Sequence, residues 1–338
     1  MSLTFLDFFS GVGGFRRGME MAGHTCLGHC EIDKYANMSY TEIHEPKEGE
    51  WFGTDIRRAN ADELPRADVW CFGFPCQDIS VAGKQLGFKG QRSSLFFTVT
   101  RLIRDTKEED RPKYLFIENV KNLLSVNGGC DFLKLLIELD EIGYDAEWQV
   151  INSDWYLPQN RERVFIIGHL RGRSGRKILP IGGISQKTNI NIIGTTVKPG
   201  AKGTNSRHWV HDISGMVGTL SATDYKQPKQ ILIRENVKRG YVEAHEGDGI
   251  RLDHINGTTG RGRVQYQKTS TLTTGNHQGV IEKGFSIRRL TPKEYWRLQG
   301  WKDEDFEKAA KVCSDSQLYK QAGNGVTVPV IYEIAKRL

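Results

Sequence analysis

The sequence contains little cysteine and no long apolar run, and these two shortages exclude several classes of protein. Only six of the 338 residues are cysteines, too few for a disulfide scaffold of this size. No apolar run approaches the roughly 18 residues of a membrane-spanning helix, and the N-terminus lacks the basic and apolar segments of a secretory signal. We therefore expect a globular protein of the cytoplasm, with its thiols reduced.

The basic residues are distributed unevenly along the chain. Residues 171–290 contain 20 Lys and Arg against 8 Asp and Glu, together with 18 of the 37 glycines, whereas the whole chain has a net charge of only +6. A basic, glycine-rich segment inside an otherwise mildly acidic chain is typical of a loop-rich module that faces a polyanion. A solvated basic face without a partner is the alternative that charge alone leaves open.

The first 170 residues alternate between strand and helix patterns. Repeated βα units of this kind predict a mostly parallel, doubly wound α/β sheet. The predicted strands cover residues 3–8, 25–30, 69–72, 114–117, 146–151 and 163–169, and the predicted helices cover 16–22, 35–44, 95–103 and 132–142, the last of these capped by Gly143.

Helix signals stop after residue 172 and resume at Thr291, an N-cap residue followed by Pro292 and by Glu294. Further helices are predicted at 316–322, ended by Gly323, and at 328–336. We therefore expect one α/β domain formed by residues 1–172 and 286–338. A smaller, loop- and β-rich domain is expected over residues 173–285.

Two features at predicted strand ends indicate a cofactor. A glycine-rich turn, D-F-F-S-G-V-G-G at residues 7–14, follows the first strand, and Glu31 follows the second. Ligands of parallel sheets gather at the carboxyl ends of the strands, where a carboxylate reaches the hydroxyls of a ribose. The turn alone fits tight packing equally well, but together with Glu31 it favours a cofactor that contains adenosine.

A thiol and a carboxylate follow the next two strands. Cys76 lies in G-F-P-C-Q (residues 73–77), and Glu118 ends the following strand. A 3-2-1-4-5 strand order would make these strands neighbours and bring a nucleophile beside an acid. Taken singly, each has an ordinary structural explanation: a buried cysteine, or a carboxylate at a helix N-terminus.

Zinc fits the cysteine spacing poorly. Cys26-x3-Cys30 and Cys71-x4-Cys76 lack the usual C-x2-C spacing. Ile79 stands where a zinc nucleobase deaminase needs its second cysteine. We expect no metal.

Nine segments in order resemble the DNA (cytosine-5) methyltransferase family, of the bacterial or phage modification type. The resemblance spans nearly the whole chain, with the family's variable region at the basic stretch. The segments are DFFSGVGGF (7–15), EIDKYA (31–36), DI (55–56), GFPCQ (73–77), RSSLFF (92–97), ENV (118–120), QNRER (159–163), RRLTPKE (288–294) and QAGNGV (321–326).

The resemblance implies that S-adenosylmethionine donates a methyl group, leaving S-adenosylhomocysteine, and that a cytosine flipped out of duplex DNA accepts it. In this family pattern Cys76 adds to C6 of the base and Glu118 bonds to its N3 and N4. Arg163 would bind the base O2, and Arg161 would hold the site together. The alternative for each arginine is a phosphate or structural contact.

The resemblance also implies a cofactor site. Phe9 and Ile32 would sandwich the adenine, Glu31 would hold the ribose, and Asp55 and Ile56 would contact the adenine edge. The sequence departs from the family at Ile32, where an aromatic is common, and at Gly325, where a serine is common. The implied cofactor residues are Phe9, Gly11, Val12, Gly13, Gly14, Phe15, Glu31, Ile32, Asp55, Ile56, Pro75, Leu95, Asn324 and Val326.

Residues 173–285 are then expected to recognise the target DNA. Thr271-Leu272 resembles the family's Thr-Leu pair, and Thr219-Leu220 resembles a second copy. The expected DNA-binding residues are Gln77, Arg207, Lys226, Lys229, Arg261, Arg263, Thr271 and Leu272, with Arg234 and Lys268 as further phosphate contacts. We expect a monomer without a membrane partner, and no direct contact with any cognate restriction endonuclease.

Two other functions compete at this point. The tRNA branch of the same family has a shorter, less basic insertion, so the 120-residue basic stretch favours DNA. A nicotinamide oxidoreductase, or a binding protein without catalysis, would explain the glycine-rich turn and Glu31. Neither has a use for Cys76 together with Glu118.

Overall fold

One seven-stranded sheet organises the part of the chain that the computed structural model describes. That part comprises residues 2–74, 95–157, 159, 161–173, 175–182 and 291–338, with short strands between 192 and 280. The sheet strands are β1 (Thr4–Phe8), β2 (Thr25–Cys30), β3 (Trp51–Gly53), β4 (Val69–Phe72), β5 (Tyr114–Val120), β6 (Tyr144–Asn152) and β7 (Glu162–Leu170). Their order in the sheet is β3-β2-β1-β4-β5-β7-β6.

Eight α-helices are described, and most of them lie where the sequence predicts. They are α1 (Gly14–Met21), α2 (Lys34–His44), α3 (Leu95–Asp105), α4 (Cys130–Glu141), α5 (Pro292–Leu298), α6 (Asp303–Ala310), α7 (Asp315–Asn324) and α8 (Val328–Ala335). Gly143 follows α4 with a φ of 90°, as its predicted capping position requires. None of the described helices is long and apolar enough to cross a membrane.

The predicted 3-2-1-4-5 order is confirmed, and β4 and β5 are parallel neighbours, with Phe72 opposite Ile117. β7 is antiparallel to β5 and β6. Since an antiparallel strand begins where its neighbour ends, the start of β7 lies beside the carboxyl end of β5, and Arg163 pairs with Val120. This reversal brings Arg161 and Arg163 to the edge of the sheet where Glu118 lies.

Three local predictions were incomplete or wrong. The strand β3 was not predicted, because its three residues are too few to give an alternating pattern of apolar and polar side chains. The helix α6 was missed, because its sequence DEDFEKAA has few apolar residues. The helix α7 does not end at Gly323: it continues to Asn324, and the Gly325 N–H donates to the Gln321 carbonyl at 2.9 Å.

The two faces of the sheet are buried in separate hydrophobic clusters. One face packs against α3 and α4, and the other, which includes Phe116, packs against α1 and α8. Cys26 and Cys30, one of the cysteine pairs considered for zinc, belong to different clusters and so pack on opposite faces of the sheet. A third cluster joins α5, α6 and α7 to Val12 and Ile43, so the returning C-terminal segment packs beside the glycine-rich turn.

The described elements between residues 183 and 290 are short strands. β8 (Ile192–Thr195) pairs with β9 (Trp209–His211), and β10 (Leu232–Arg234) pairs with β11 (Tyr241–Glu243). The strand β12 (Gly249–Arg251) pairs with β13 (Val264–Gln265) and β14 (Gln278–Val280). These strands agree with the expected β-rich character. The domain boundaries at 172 and 286 stay predictions.

We predict that Gly18→Ala destabilises the protein although alanine favours helix. A Cβ atom at Gly18 would lie 2.6 Å from Cβ and Cγ2 of Ile331 and 3.0 Å from the Tyr332 nitrogen, so α1 and α8 would have to separate. Overpacking of this kind costs roughly 1–3 kcal/mol. Urea unfolding measures the change, with Met21→Ala at an exposed position of α1 as the control. Equal stability of Gly18→Ala and wild type would contradict the close approach of the two helices.

Candidate active site

A cavity of about 550 Å³ lies at the carboxyl ends of the central strands. Ligands of doubly wound sheets bind at this edge. Twelve of the residues predicted for the site line the cavity, and they come from seven separate segments of the chain. They are Phe9, Gly11, Val12, Glu31, Ile32, Asp55, Ile56, Leu95, Glu118, Arg161, Arg163 and Asn324.

Four predicted cofactor residues do not line the cavity but pack behind its wall. Phe15 is buried against Phe116, with ring centroids 5.0 Å apart. A Cβ atom at Gly14 would lie 2.6 Å from Cγ2 of Val326, so this glycine allows α1 to pack against the segment after α7. Gly13 lies against a histidine and a tyrosine of α2.

The other predicted residues lie outside the described part of the chain or carry no described side chain. Arg234 lies in β10, and its side chain is not described. Those outside the described residues are Pro75, Cys76, Gln77, Arg207, Lys226, Lys229, Arg261, Arg263, Lys268, Thr271 and Leu272.

The glycine-rich turn that follows β1 has a left-handed backbone at several positions. Gly11 and Gly13 have φ values of 56° and 84°, which glycine adopts without strain. Phe9 has a φ of 54°, a conformation that costs a bulky residue about 1–3 kcal/mol and that clusters at ligand sites. This backbone places Phe9, Gly11 and Val12 on the cavity wall.

Glu31 is fixed at the end of β2 by two backbone N–H groups. The Gly11 N–H donates to its Oε2 and the Asp33 N–H donates to its Oε1, each at 2.8 Å. Burial raises the pKa of Glu31, while these two N–H groups act in the opposite direction. A carboxylate held in this way keeps lone pairs that can accept hydrogen bonds from a pair of ligand hydroxyls.

Ile32 and Asp55 lie on the same side of the cavity as Glu31. Ile32 is 68% exposed and lines the cavity, so its apolar side chain is accessible to a ligand. The Asp55 carboxylate accepts hydrogen bonds from the Arg57 side chain at 2.7 and 2.9 Å, and this arginine lowers the pKa of Asp55. Sequence reasoning had not identified Arg57, which also lines the cavity.

Glu118 and Arg163 form an ion pair on the opposite side of the cavity. The Arg163 Nε lies 3.1 Å from the Glu118 Oε1, and both side chains are largely buried. A Cβ atom at Gly73 would lie 3.3 Å from the Glu118 Oε2, so the segment that leads to Cys76 passes directly beside this carboxylate. The structure therefore brings together the acid, the arginine and Gly73, three residues before Cys76 in the chain.

Asn119 is a buried cavity residue that the sequence analysis quoted in the ENV segment but gave no role. Its Nδ2 donates to the Phe74 carbonyl at 3.1 Å, and its Oδ1 accepts from the Val120 N–H at 2.9 Å. The first of these bonds ties the end of β5 to Phe74, which follows β4 and lies two residues before Cys76, and the second orients the amide. The signal was present in the sequence, as a polar amide directly after Glu118 in a strand that is otherwise apolar.

Arg161 is 3% exposed and connects the sheet to the C-terminal segment. Its Nη1 donates to the Gly323 carbonyl at 3.3 Å and its Nη2 donates to the Gly325 carbonyl at 2.8 Å. Asn324 lies between these two carbonyls and lines the cavity. The arginine, which lines the cavity itself, thus positions this part of its wall.

A second set of contacts fixes α7 to the start of α2. The Lys320 ammonium lies 2.5 Å from the Asp33 carboxylate, and the Gln321 amide donates to the Tyr35 carbonyl at 3.0 Å. Both Lys320 and Asp33 line the cavity. Sequence reasoning could not have found this pair, because the two residues are 287 positions apart.

The sheet order and the cavity at the carboxyl ends of its strands fit the doubly wound, Rossmann-like α/β fold of S-adenosylmethionine-dependent methyltransferases. Residues 3–338 match the model of the family described as C-5 cytosine-specific DNA methylase. The chain belongs to this family. It is a DNA (cytosine-5) methyltransferase, which transfers a methyl group from S-adenosylmethionine to C5 of cytosine in double-stranded DNA.

Individual relatives agree with this assignment. The chain is 33% identical over 342 residues to the type II methyltransferase M.HhaI of Haemophilus parahaemolyticus, covering 98% of this chain and 93% of the relative. It is 32% identical over 343 residues to M.DsaV of Dactylococcopsis salina, covering 99% and 86%. The crystal structure of S. pombe Dnmt2 methyltransferase has the same fold, with a TM-score of 0.59, 16% identity, and coverage of 98% and 96%.

Asp7, the residue that begins the glycine-rich turn, is fully buried at the end of β1. Its Oδ2 accepts from the Arg16 N–H at 3.2 Å. Burial raises the pKa of Asp7 to about 8, against 3.8 for an exposed carboxyl. The folded state therefore binds this proton more tightly than the unfolded state does. The contribution of Asp7 to stability is fully present below pH 3.8 and is lost as the pH rises to about 8.

We predict that Asp7→Asn removes this loss of stability. Between pH 4 and 8 the unfolding free energy of the wild type should fall relative to that of the variant by up to about 1.4 kcal/mol per pH unit. Urea unfolding across this range measures the difference. Asp303→Asn is the control, because its ion pairs with Arg297 and Lys293 lower the pKa of that exposed carboxyl. Parallel curves for wild type and Asp7→Asn would show that Asp7 is ionised in the folded state.

Proposed function

We propose that this methyltransferase works through a covalent bond between the Cys76 sulfur and C6 of a cytosine flipped out of the duplex. The observation that supports the proposal most strongly is the ion pair of Glu118 and Arg163 beside Gly73, in the same cavity as Glu31. This arrangement has room for a base near Gly73 and Glu118 and for a nucleoside near Glu31.

Cytosine C5 is too weak a nucleophile to be methylated directly, which is why a thiolate is needed. S-adenosylmethionine, when bound, supplies an electrophilic methyl group. The Cys76 thiolate forms a bond to C6, and the electrons of the C5–C6 double bond are directed to C5, which becomes the nucleophile. After methyl transfer a base removes the C5 proton, the C5–C6 double bond re-forms, and the Cys76 sulfur leaves as thiolate.

Glu118 and Arg163 stabilise the charge that this addition creates on the ring. Glu118 bonds to N3 and N4 of the base, and Arg163 donates to O2. Arg163 is oriented for this role, because its Nε faces Glu118 and its Nη1 donates to the Glu162 carbonyl at 2.8 Å. Arg161 holds the C-terminal wall of the cavity in place.

The cofactor is proposed to lie at the opposite end of the cavity. Glu31 accepts hydrogen bonds from the ribose hydroxyls, while Phe9 and Ile32 lie on the two faces of the adenine. Asp55 and Ile56 contact the adenine edge. The fixed Glu31 carboxylate and the exposed Ile32 support this placement. Gly11, Val12, Pro75, Leu95 and Asn324 complete the pocket, and Gly13, Gly14, Phe15 and Val326 support it from behind.

Base flipping follows from steric exclusion, since C5 and C6 of a stacked, paired cytosine cannot reach a thiolate in a cavity of this kind. We propose that residues 173–285 hold the duplex while the base is extruded. Lysines and arginines of this segment contact phosphates, and other side chains of the same segment read base edges. The protein acts as a monomer on cytoplasmic DNA, without direct contact to any cognate endonuclease.

The nucleophile is tested by trapping on duplex DNA that contains 5-fluorocytosine. The fluorine at C5 blocks the final elimination, so the wild type should form an adduct that survives denaturing electrophoresis. Bisulfite sequencing of plasmid DNA from cells that express the protein supplies the target site. Cys76→Ser should form no adduct and lose at least about a thousandfold in activity.

Cys130→Ser, which removes an exposed cysteine at the start of α4, is the matched control and should retain adduct and activity. Methylated product from wild-type protein without any trapped adduct would overturn the covalent mechanism.

The roles of the two carboxylates are separated by Glu118→Gln and Glu31→Gln. Glu118→Gln should lower kcat about a hundredfold or more and leave cofactor affinity unchanged, because it removes stabilisation of the reacting base. Glu31→Gln should raise the Kd for S-adenosylhomocysteine about tenfold, because a charged acceptor is lost. Steady-state kinetics and calorimetry measure both. The same change in kcat and in Kd for both variants would contradict the assignment.

A further inference from the structure

A buried histidine at the end of α2 makes a hydrogen bond that the mechanism above does not use. The His44 side chain is 1% exposed, and its Nε2 lies 3.0 Å from the Val12 carbonyl oxygen. A carbonyl can only accept, so Nε2 carries the hydrogen and donates it. Burial lowers the pKa of His44 to about 3, which keeps the ring neutral with a single N–H across the working range of pH.

This bond fixes one peptide plane of the glycine-rich turn. The Val12 carbonyl accepts from His44, and at the other end of the same peptide the Gly13 N–H donates to the Ser10 carbonyl at 2.8 Å. The preceding Gly11 N–H donates to Glu31 at 2.8 Å. The turn is therefore held by Glu31 on its cavity side and by His44 from behind.

The surroundings of His44 leave its ring little freedom to move. Its centroid lies 4.7 Å from the Tyr40 ring and 6.2 Å from the Trp301 ring. Its Nδ1 lies 4.0 Å from a Glu20 carboxylate oxygen. A Cβ atom at Gly13 would lie 2.2 Å from the His44 Nε2, so the histidine occupies the space that a side chain at position 13 would need.

We propose that His44 is a positioning residue, which holds residues 11–13 in their cofactor-binding conformation and so sets the affinity for S-adenosylmethionine. His44 does not line the cavity, whereas Gly11 and Val12, the residues it aligns, do. The inference rests on the cofactor site proposed above. It adds a residue outside the cavity wall that determines cofactor affinity. It also gives a reason for the glycine at position 13, because the His44 ring occupies the space of a side chain there.

The test compares three substitutions of His44 by calorimetry with S-adenosylhomocysteine. His44→Phe keeps a ring of similar shape but has no donor, and should raise the Kd about tenfold. His44→Gln places an amide nitrogen near the original Nε2, and should stay within about threefold of wild type. His44→Asn is too short to reach Val12, and should behave like His44→Phe, which gives a second probe if the phenylalanine variant does not fold.

His24→Phe is the matched control. His24 is also buried, and its Nε2 lies 3.0 Å from the Ala335 carbonyl at the amino-terminal edge of the sheet, away from the cavity. The His24→Phe variant should have a lower melting temperature and an unchanged Kd for S-adenosylhomocysteine. In steady-state assays His44→Phe should raise KM for S-adenosylmethionine, with kcat and KM for DNA close to wild type, a pattern that a general loss of stability does not produce.

Two results would overturn the inference while leaving the cofactor site intact. One is wild-type affinity in His44→Phe and His44→Asn, even with a lower melting temperature. The other is an equal loss in His44→Gln and His44→Phe, which would show that the hydrogen bond is not the cause. Wild-type protein that fails to bind S-adenosylhomocysteine would instead overturn the cofactor site, and this inference with it.

Discussion

The buried guanidinium of Arg161 joins two parts of the chain on which the whole site depends. It bonds to carbonyls 162 and 164 positions further along the chain, on the far side of the basic region. Those bonds fix the end of α7, which contains Asn324, to the segment that leads into β7, and the Lys320–Asp33 ion pair fixes the same helix to the start of α2. Hydrogen bonds that involve a charged group contribute more than neutral ones, and a buried arginine left without acceptors would be costly. The site therefore forms only when the chain has returned from residues 183–290.

Charge pairing around the cavity prepares it for ligands before they bind. Glu118 faces Arg163, Asp33 faces Lys320 and Asp55 faces Arg57, so each of these side chains already has a defined direction. Electrostatic stabilisation by a site is strongest when its dipoles and charges need no rearrangement during reaction. This arrangement depends on the antiparallel strand β7, which starts beside the end of β5 and so places Arg161, directly before it, and Arg163, within it, at that edge.

Much of this arrangement could be predicted from the sequence, because parallel sheets place strand ends together. That rule grouped the glycine-rich turn, Glu31 and Glu118 correctly at one edge. It could not separate residues that face the cavity from residues that pack behind it, such as Gly14 and Phe15, since this depends on contacts with Val326 and Phe116. Such contacts join segments that are far apart in the chain, and no repeating pattern in a single sequence indicates them.

The backbone strain at Phe9 and the support from His44 both concern how the glycine-rich turn is held in one conformation. A turn that must approach a ligand closely has few side chains of its own to hold it, and Phe9 at a φ of 54° adds a local cost. The packing of α1 against α8 and of α2 against α6 supplies the rigidity that the turn lacks. Folding energy then fixes the turn before any ligand arrives, and binding need not order it. On this account cofactor affinity depends on buried residues that never touch the cofactor.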